Sequence, residues 1–242
     1  MAAHEVMSGN VMSRNGIDDS AVTPAASLLV IAPGSTPRVL MGRRPDDARF
    51  MPGVYVFPGG AVEPGDDGVM VVRDFDPREV PPMATADPSE ARSLGVAAIR
   101  ETFEETGLLC AVGAAAASWD DVAAGRTPPD LSRLRYLGRA LTPAVSRIRY
   151  HARFYFLHAD RTDPLLVPSE ELEDLRWVSL CDTGALPIPR VTRFMLEQLR
   201  ARLGAPALPV ATPFYHHADG EFRVTYDRLD AGAARPADDS RR

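Results

Sequence analysis

Apolar residues fall into two periods along the chain. Ala25–Ala32 is an apolar run broken only by Ser27, which reads as a buried strand. Val39–Arg43 reads as its hairpin partner across Pro33-Gly34-Ser35-Thr36-Pro37, and Val54–Phe57 as a short third strand stopped by Pro58-Gly59-Gly60. Tyr136–Leu141, Ile148–His158 and Leu175–Val178 read as further strands. The other period is helical. Asp87 caps a helix, Pro88 suits its first turn, Glu90 completes a capping box and Gly107 is a natural stop, so a helix runs from about Pro88 to Thr106. Ala114–Ala124 predicts a short second helix, Arg126–Asp130 a proline-rich link, and Val191–Leu203 an amphipathic helix. Asp66–Ala86 is rich in Pro, Asp and Met and weakly periodic, and reads as an insertion loop. The expected organisation is a flexible leader over 1–22, one domain over 23–230 with an insertion at about 67–92, and a disordered tail over 231–242.

Composition narrows the function classes. The chain has 242 residues, 45% apolar and 25% charged, the profile of a soluble globular protein. A formal charge of −6 argues against a duplex nucleic-acid binder, which normally carries a basic footprint. Cys110 and Cys181 form no CxxC or Cys/His cluster, so zinc and thioredoxin-like readings fall away. Ala25–Ala32 is too short to span a bilayer, and Met1–Ser20 lacks the apolar core of a signal peptide. The expectation is a cytoplasmic protein with a small-molecule partner, no nucleic acid and no membrane; a homodimer is left open.

The helix carries the candidate chemistry. At about 100° per residue, Glu101, Glu104 and Glu105 of Arg100-Glu101-Thr102-Phe103-Glu104-Glu105-Thr106-Gly107 fall within about a third of the circumference, with Val96, Ile99 and Phe103 opposite. Like charges at these spacings cost a helix roughly 0.2–0.5 kcal/mol per pair, so a cation is expected to offset them. Clustered carboxylates suit a hard divalent ion such as Mg²⁺, and Arg100 lies beside Glu104 on the wheel, where it can orient it. The alternative is a solvated acidic face.

Upstream stands Phe57-Pro58-Gly59-Gly60-Ala61-Val62-Glu63-Pro64-Gly65-Asp66. Together the two segments resemble the signature of the Nudix hydrolases. Gly60 starts it, Asp66 stands where the family has its first Glu, and Arg100, Glu101, Glu104, Glu105, Gly107 and Leu108 fill the second half. Thr102 replaces the usual aliphatic residue, and 33 residues separate Asp66 from Arg100 where the family pattern has seven. The surplus belongs in the loop ahead of the helix, where insertion costs only loop-closure entropy.

The resemblance implies an α/β fold: an α/β/α sandwich with a mixed β-sheet and a loop-helix-loop catalytic motif. It implies a pyrophosphohydrolase whose Glu101, Glu104, Glu105 and the Gly60 carbonyl bind Mg²⁺ or Mn²⁺, with Glu170 and Glu171 as candidate bases. With Arg49-Phe50-Met51-Pro52-Gly53 and the long insertion, it resembles the branch that includes the mammalian peroxisomal coenzyme A diphosphatase. The implied substrate is coenzyme A, acyl-CoA or another nucleoside diphosphate derivative. Alternatives are NADH, a nucleoside diphosphate sugar or a nucleotide, and, in a different class, a non-catalytic ligand-binding or regulatory module. Gly59 and Gly60 allow backbone to approach a ligand. Arg43, Arg44 and Arg49 are candidate phosphate groups. Strand alternation in Arg147–Leu157 puts Arg147, Arg149, His151, Arg153 and Tyr155 on one face, either a phosphate-gripping face or a solvated one, backed by Ile148, Tyr150, Ala152, Phe154 and Phe156. His216 and His217 read as surface residues without a role.

Overall fold

The computed structural model describes residues 22–32, 34–85, 87–110, 118–159, 166–205 and 211–228. In chain order they form β1 (Thr23–Ala32), β2 (Arg38–Arg43), β3 (Tyr55–Val56), β4 (Gly59–Ala61), α1 (Pro88–Thr106), α2 (Trp119–Ala123), β5 (Arg135–Leu141), β6 (Tyr150–His158), β7 (Glu173–Ser179), α3 (Arg190–Leu203), β8 (Ala211–Ala218) and β9 (Glu221–Arg228). The expected leader and tail lie outside the described residues.

Strand β1 lies inside a mixed sheet of order β3-β2-β1-β6-β5-β8-β9. It runs parallel to β6 from Thr23 opposite Tyr150 to Ile31 opposite His158. Both of its faces are covered, which is why it reads as a continuous apolar run. Ala26, Leu28 and Val30 enter one core with Leu94, Val96 and Ile99 of α1; Leu29 and Ile31 enter the other with Met195, Leu196 and Leu199 of α3. The result is the expected α/β/α sandwich. Cys110 and Cys181 are free thiols.

The opposite edge of β1 is divided between two partners. Ala25–Ser27 pair with β4, whereas Ile31 and Ala32 pair with β2. Pro58-Gly59-Gly60 therefore does not simply end a strand, as the sequence suggested. Gly59 and Gly60 begin another one, and this brings the glycine turn to the N-terminal half of the central strand.

Helix α1 has the expected limits. The Asp87 carboxylate accepts from the N–H groups of Ser89 and Glu90, and the Gly107 N–H donates to the Phe103 carbonyl. Ahead of it, the insertion is not a peripheral loop. Val69, Phe75 and Met83 are buried in the α1-side core, and Phe75 stacks on Tyr155 with ring centroids 5.5 Å apart. Buried backbone carbonyls need donors. Arg153 supplies them, its Nε donating to Met83 O at 3.1 Å and its Nη2 to Ala84 O at 3.2 Å. The expected basic face is thus interior at Arg153 and at Tyr155, which is fully buried, whereas Arg147 ahead of β6 is exposed.

Strands β8 and β9 were not anticipated. Their signal was Asp219-Gly220 between alternating segments. Both turn residues have positive φ, 52° and 82°, as a type I′ hairpin requires. Pro213 and the His216-His217 pair diluted the apolar alternation. His216 is itself buried, stacked on Phe214 at 4.6 Å, and is not a surface residue.

Candidate active site

A cavity of about 620 Å³ opens over Ala25–Ser27 of β1. Part of its lining is polar: Gly59, Gly60, Glu63, Glu101, Glu104, Arg44 and Glu171. Another part is largely apolar: Leu141, Tyr150, Phe154, Tyr215, Phe222 and the first turn of α3.

The polar wall depends on two glycines. Gly59 has φ of 152°, and a Cβ there would lie 2.3 Å from the Ala26 carbonyl oxygen. A Cβ on Gly60 would lie 2.5 Å from Cδ of Glu101. Only a backbone without side chains lets α1 bring its carboxylates against this turn. The Gly59 N–H then donates to Oε2 of Glu105 at 2.8 Å.

Arg100 ties the wall together. It is 5% exposed, and Asp66 is 2% exposed. Its Nε donates to Asp66 Oδ1 at 3.0 Å and its Nη2 to Asp66 Oδ2 at 3.2 Å, a two-point grip. Nη1 donates to Glu101 at 2.8 Å and to Glu104 at 3.0 Å, and Nη2 also reaches the Ala61 carbonyl at 2.9 Å. Burial opposes the Arg100 charge, but Asp66, Glu101 and Glu104 outweigh it and raise its pKa. Asp66, standing where the signature has Glu, is therefore an anchor for Arg100; it also accepts from the Glu63 N–H at 2.8 Å.

Burial pushes Glu101 up to about 7, against the pull of Arg100. Burial pushes Glu105 up to about 8, against the Gly59 N–H, with Glu101 and Glu171 adding repulsion. Glu104 faces the cavity and is exposed.

The NUDIX domain family pattern matches residues 22–199. The chain belongs to the Nudix hydrolase family. It is 37% identical over 98 aligned residues to acyl-coenzyme A diphosphatase NUDT19 of Xenopus laevis, a match over 31% of this chain and 25% of that protein. The chain thus spans about a quarter of the length of that curated relative. Among solved structures, it resembles a NUDIX hydrolase from Alicyclobacillus acidocaldarius, with 29% identity, a TM-score of 0.60, and coverage of 74% of this chain and 91% of that one.

Nudix hydrolases generally use divalent metal ions. The donor set here fits one by its chemistry: buried hard oxygen ligands that repel one another and are driven to take up protons. As arranged, no group of three or more His, Cys, Asp or Glu among the described residues encloses a point. Glu101 and Glu104 instead share the guanidinium of Arg100, and Glu105 turns to Gly59.

The remaining candidates divide. Glu171 lines the cavity, whereas exposed Glu170 is not among its lining residues. Arg44 lines it too, and its buried Nε has no hydrogen-bond partner among the described residues. Arg43 is engaged with Asp46 and Glu173. Arg49 and Arg147 are exposed and away from the cavity lining, and Arg149 donates to the Thr142 carbonyl at 3.4 Å. Arg153 holds the insertion. The face of β6 that borders the cavity is the apolar one, through Tyr150, Ala152 and Phe154. Sequence reasoning missed Tyr215, Phe222 and Arg190 on the far wall. No helix of the described residues is long and apolar enough to cross a membrane.

Proposed function

We propose that the protein hydrolyses the diphosphate bond of a nucleoside diphosphate derivative with Mg²⁺ or Mn²⁺, and that coenzyme A or an acyl-coenzyme A is the derivative it takes. The observation that carries the reading is the pair of buried carboxylates, Glu101 and Glu105, closed against Gly59-Gly60 at the rim of a cavity of about 620 Å³. Burial raises both carboxyls, Glu101 even against Arg100 beside it, and such perturbed groups concentrate where chemistry needs them.

Glu101, Glu104 and Glu105 would hold the divalent ion, which supplies charge neutralisation of the diphosphate and activation of a water. The protein's own groups do the rest. Arg100 keeps Glu101 and Glu104 in place. Arg44 lines the cavity and supplies a guanidinium charge for a phosphate oxygen there. Glu171 faces the buried carboxylates and accepts the proton of the attacking water. The coenzyme A assignment is supported by the likeness to the Xenopus diphosphatase and by the long insertion before α1.

A second reading draws on the guanidinium of Arg100, which already bridges Glu101 and Glu104. In it the protein is a ligand-binding module without turnover. A substrate panel separates the two: coenzyme A, acetyl-coenzyme A, NADH, a nucleoside diphosphate sugar and ATP, each with Mg²⁺, Mn²⁺ or chelator, read by product mass. Metal-dependent cleavage of coenzyme A into phosphopantetheine and an adenosine bisphosphate is expected. Preferred cleavage of another member overturns the coenzyme A assignment. Absence of cleavage throughout overturns the hydrolase reading.

A further inference from the structure

The family match ends at residue 199, yet the cavity does not. Its far wall is completed by Tyr215 and Phe222 from the β8–β9 hairpin, facing the first turn of α3. We propose that this hairpin is a specificity element: Phe222 is a stacking platform for the nucleobase of the substrate, and Arg190 meets an anionic or ribose oxygen attached to that base. The proposal rests on the diphosphate reading for the position of the phosphates.

The rings are arranged as a ladder. Phe194 and Tyr215 lie 5.1 Å apart at 34°, and Tyr215 and Phe222 lie 5.3 Å apart at 23°. Phe222 also meets His217 at 82° with centroids 5.3 Å apart, and it remains 44% exposed while lining the cavity. A large ring that stays part-exposed at a cavity wall is where a planar ligand gains most, because base–aromatic stacking tolerates any base that presents its face. An aliphatic arm would need apolar walls but no parallel rings. Arg190, at the first position of α3, holds its guanidinium carbon 5.7 Å from the Phe222 ring centroid and has no carboxylate partner among the described residues. It is free to pair with an anion there.

The wall is built to stay in place. Buried Arg139 of β5 donates from Nε to Asp227 Oδ2 at 2.7 Å and from Nη2 to Asp227 Oδ1 at 3.0 Å. Its guanidinium also lies 3.5 Å from the Phe214 ring centroid. One side chain thus fastens both strands of the hairpin to the catalytic sheet.

Calorimetric titration of the full chain with AMP, ribose 5-phosphate and 4′-phosphopantetheine tests this without requiring turnover. AMP is expected to bind about tenfold tighter than ribose 5-phosphate. Phe222→Ala should remove that advantage and leave ribose 5-phosphate unchanged, Phe222→Tyr should restore it, and Arg190→Gln should weaken both sugar phosphates. Equal binding of AMP and ribose 5-phosphate by the unaltered protein overturns the proposal. So does a Phe222→Ala variant that keeps its AMP preference, or one that loses phosphopantetheine instead. Base-dependent binding in a protein that cleaves nothing would sink the hydrolase reading and leave this one standing.

Discussion

Helices α1 and α3 cover opposite faces of one sheet and treat charge differently. Helix α3 buries Met195, Leu196 and Leu199 and leaves Glu197 and Arg200 in solvent. Helix α1 buries Leu94, Val96 and Ile99 in the same manner, but it also buries Arg100, Glu101 and Glu105. An amphipathic stripe is sufficient to hold a helix on a sheet. Helix α1 therefore carries a cost that folding does not require. Its charges are placed where they meet Gly59, Gly60 and the cavity, so the cost is located at the site and not spread over the helix.

Removing Asp66 should expose that cost most directly. Asp66→Ala leaves Arg100, 5% exposed, without its two-point partner. Breaking one side of a buried pair costs about 3–5 kcal/mol. Urea denaturation should report a loss of that size; a loss below about 1 kcal/mol would mean that Glu101 and Glu104 suffice to hold Arg100.

The next effect is on turnover. Glu105→Gln keeps an acceptor for the Gly59 N–H but removes a charge. Metal-dependent hydrolysis should fall by at least about 100-fold, equivalent to about 2.7 kcal/mol of barrier, while the fold persists. Unchanged turnover would mean that the buried carboxylate is structural and that α1 differs from α3 without catalytic reason.

A smaller effect is expected in the pH dependence of the metal-free protein. Glu101 and Glu105 are raised to about 7 and about 8 from an ordinary value of 4.5. Below 4.5 both are protonated, folded or unfolded, and their contribution is fully present. As pH rises toward 8, the unfolded chain releases protons that the folded chain retains, so stability falls. Denaturation midpoints in chelator should fall between pH 5 and 8 by an amount equivalent to roughly 1–4 kcal/mol. Glu105→Gln should flatten the slope. A midpoint that climbs over this window would refute the assignment of burial as the dominant influence.

What could be read in the sequence follows the same division. The limits of α1 were legible because Asp87, Pro88 and Gly107 act locally. The Gly60 and Glu101–Glu105 constellation was legible because its spacing is a motif. The surroundings of the strand arginines were not. Alternation placed Arg153 on a basic face, but alternation cannot say which face a distant insertion will cover, and Met83 and Ala84 claimed it. The aromatic wall was missed although Asp219-Gly220 marked its turn, because the cavity it completes is assembled from chain segments far apart in sequence.

The weakest effect is expected on α3, and its weakness is informative. Glu197 is exposed and sits on the helix that needs only its apolar stripe. Glu197→Ala should alter stability by less than about 0.5 kcal/mol and leave turnover unchanged. Met195→Ala on the same helix should cost about 2–5 kcal/mol, because Met195 is fully buried. If the exposed charge proved as costly as the buried thioether, charge on α3 would matter as charge on α1 does. The burial of Arg100, Glu101 and Glu105 would then describe this protein's helices in general and would no longer single out a site.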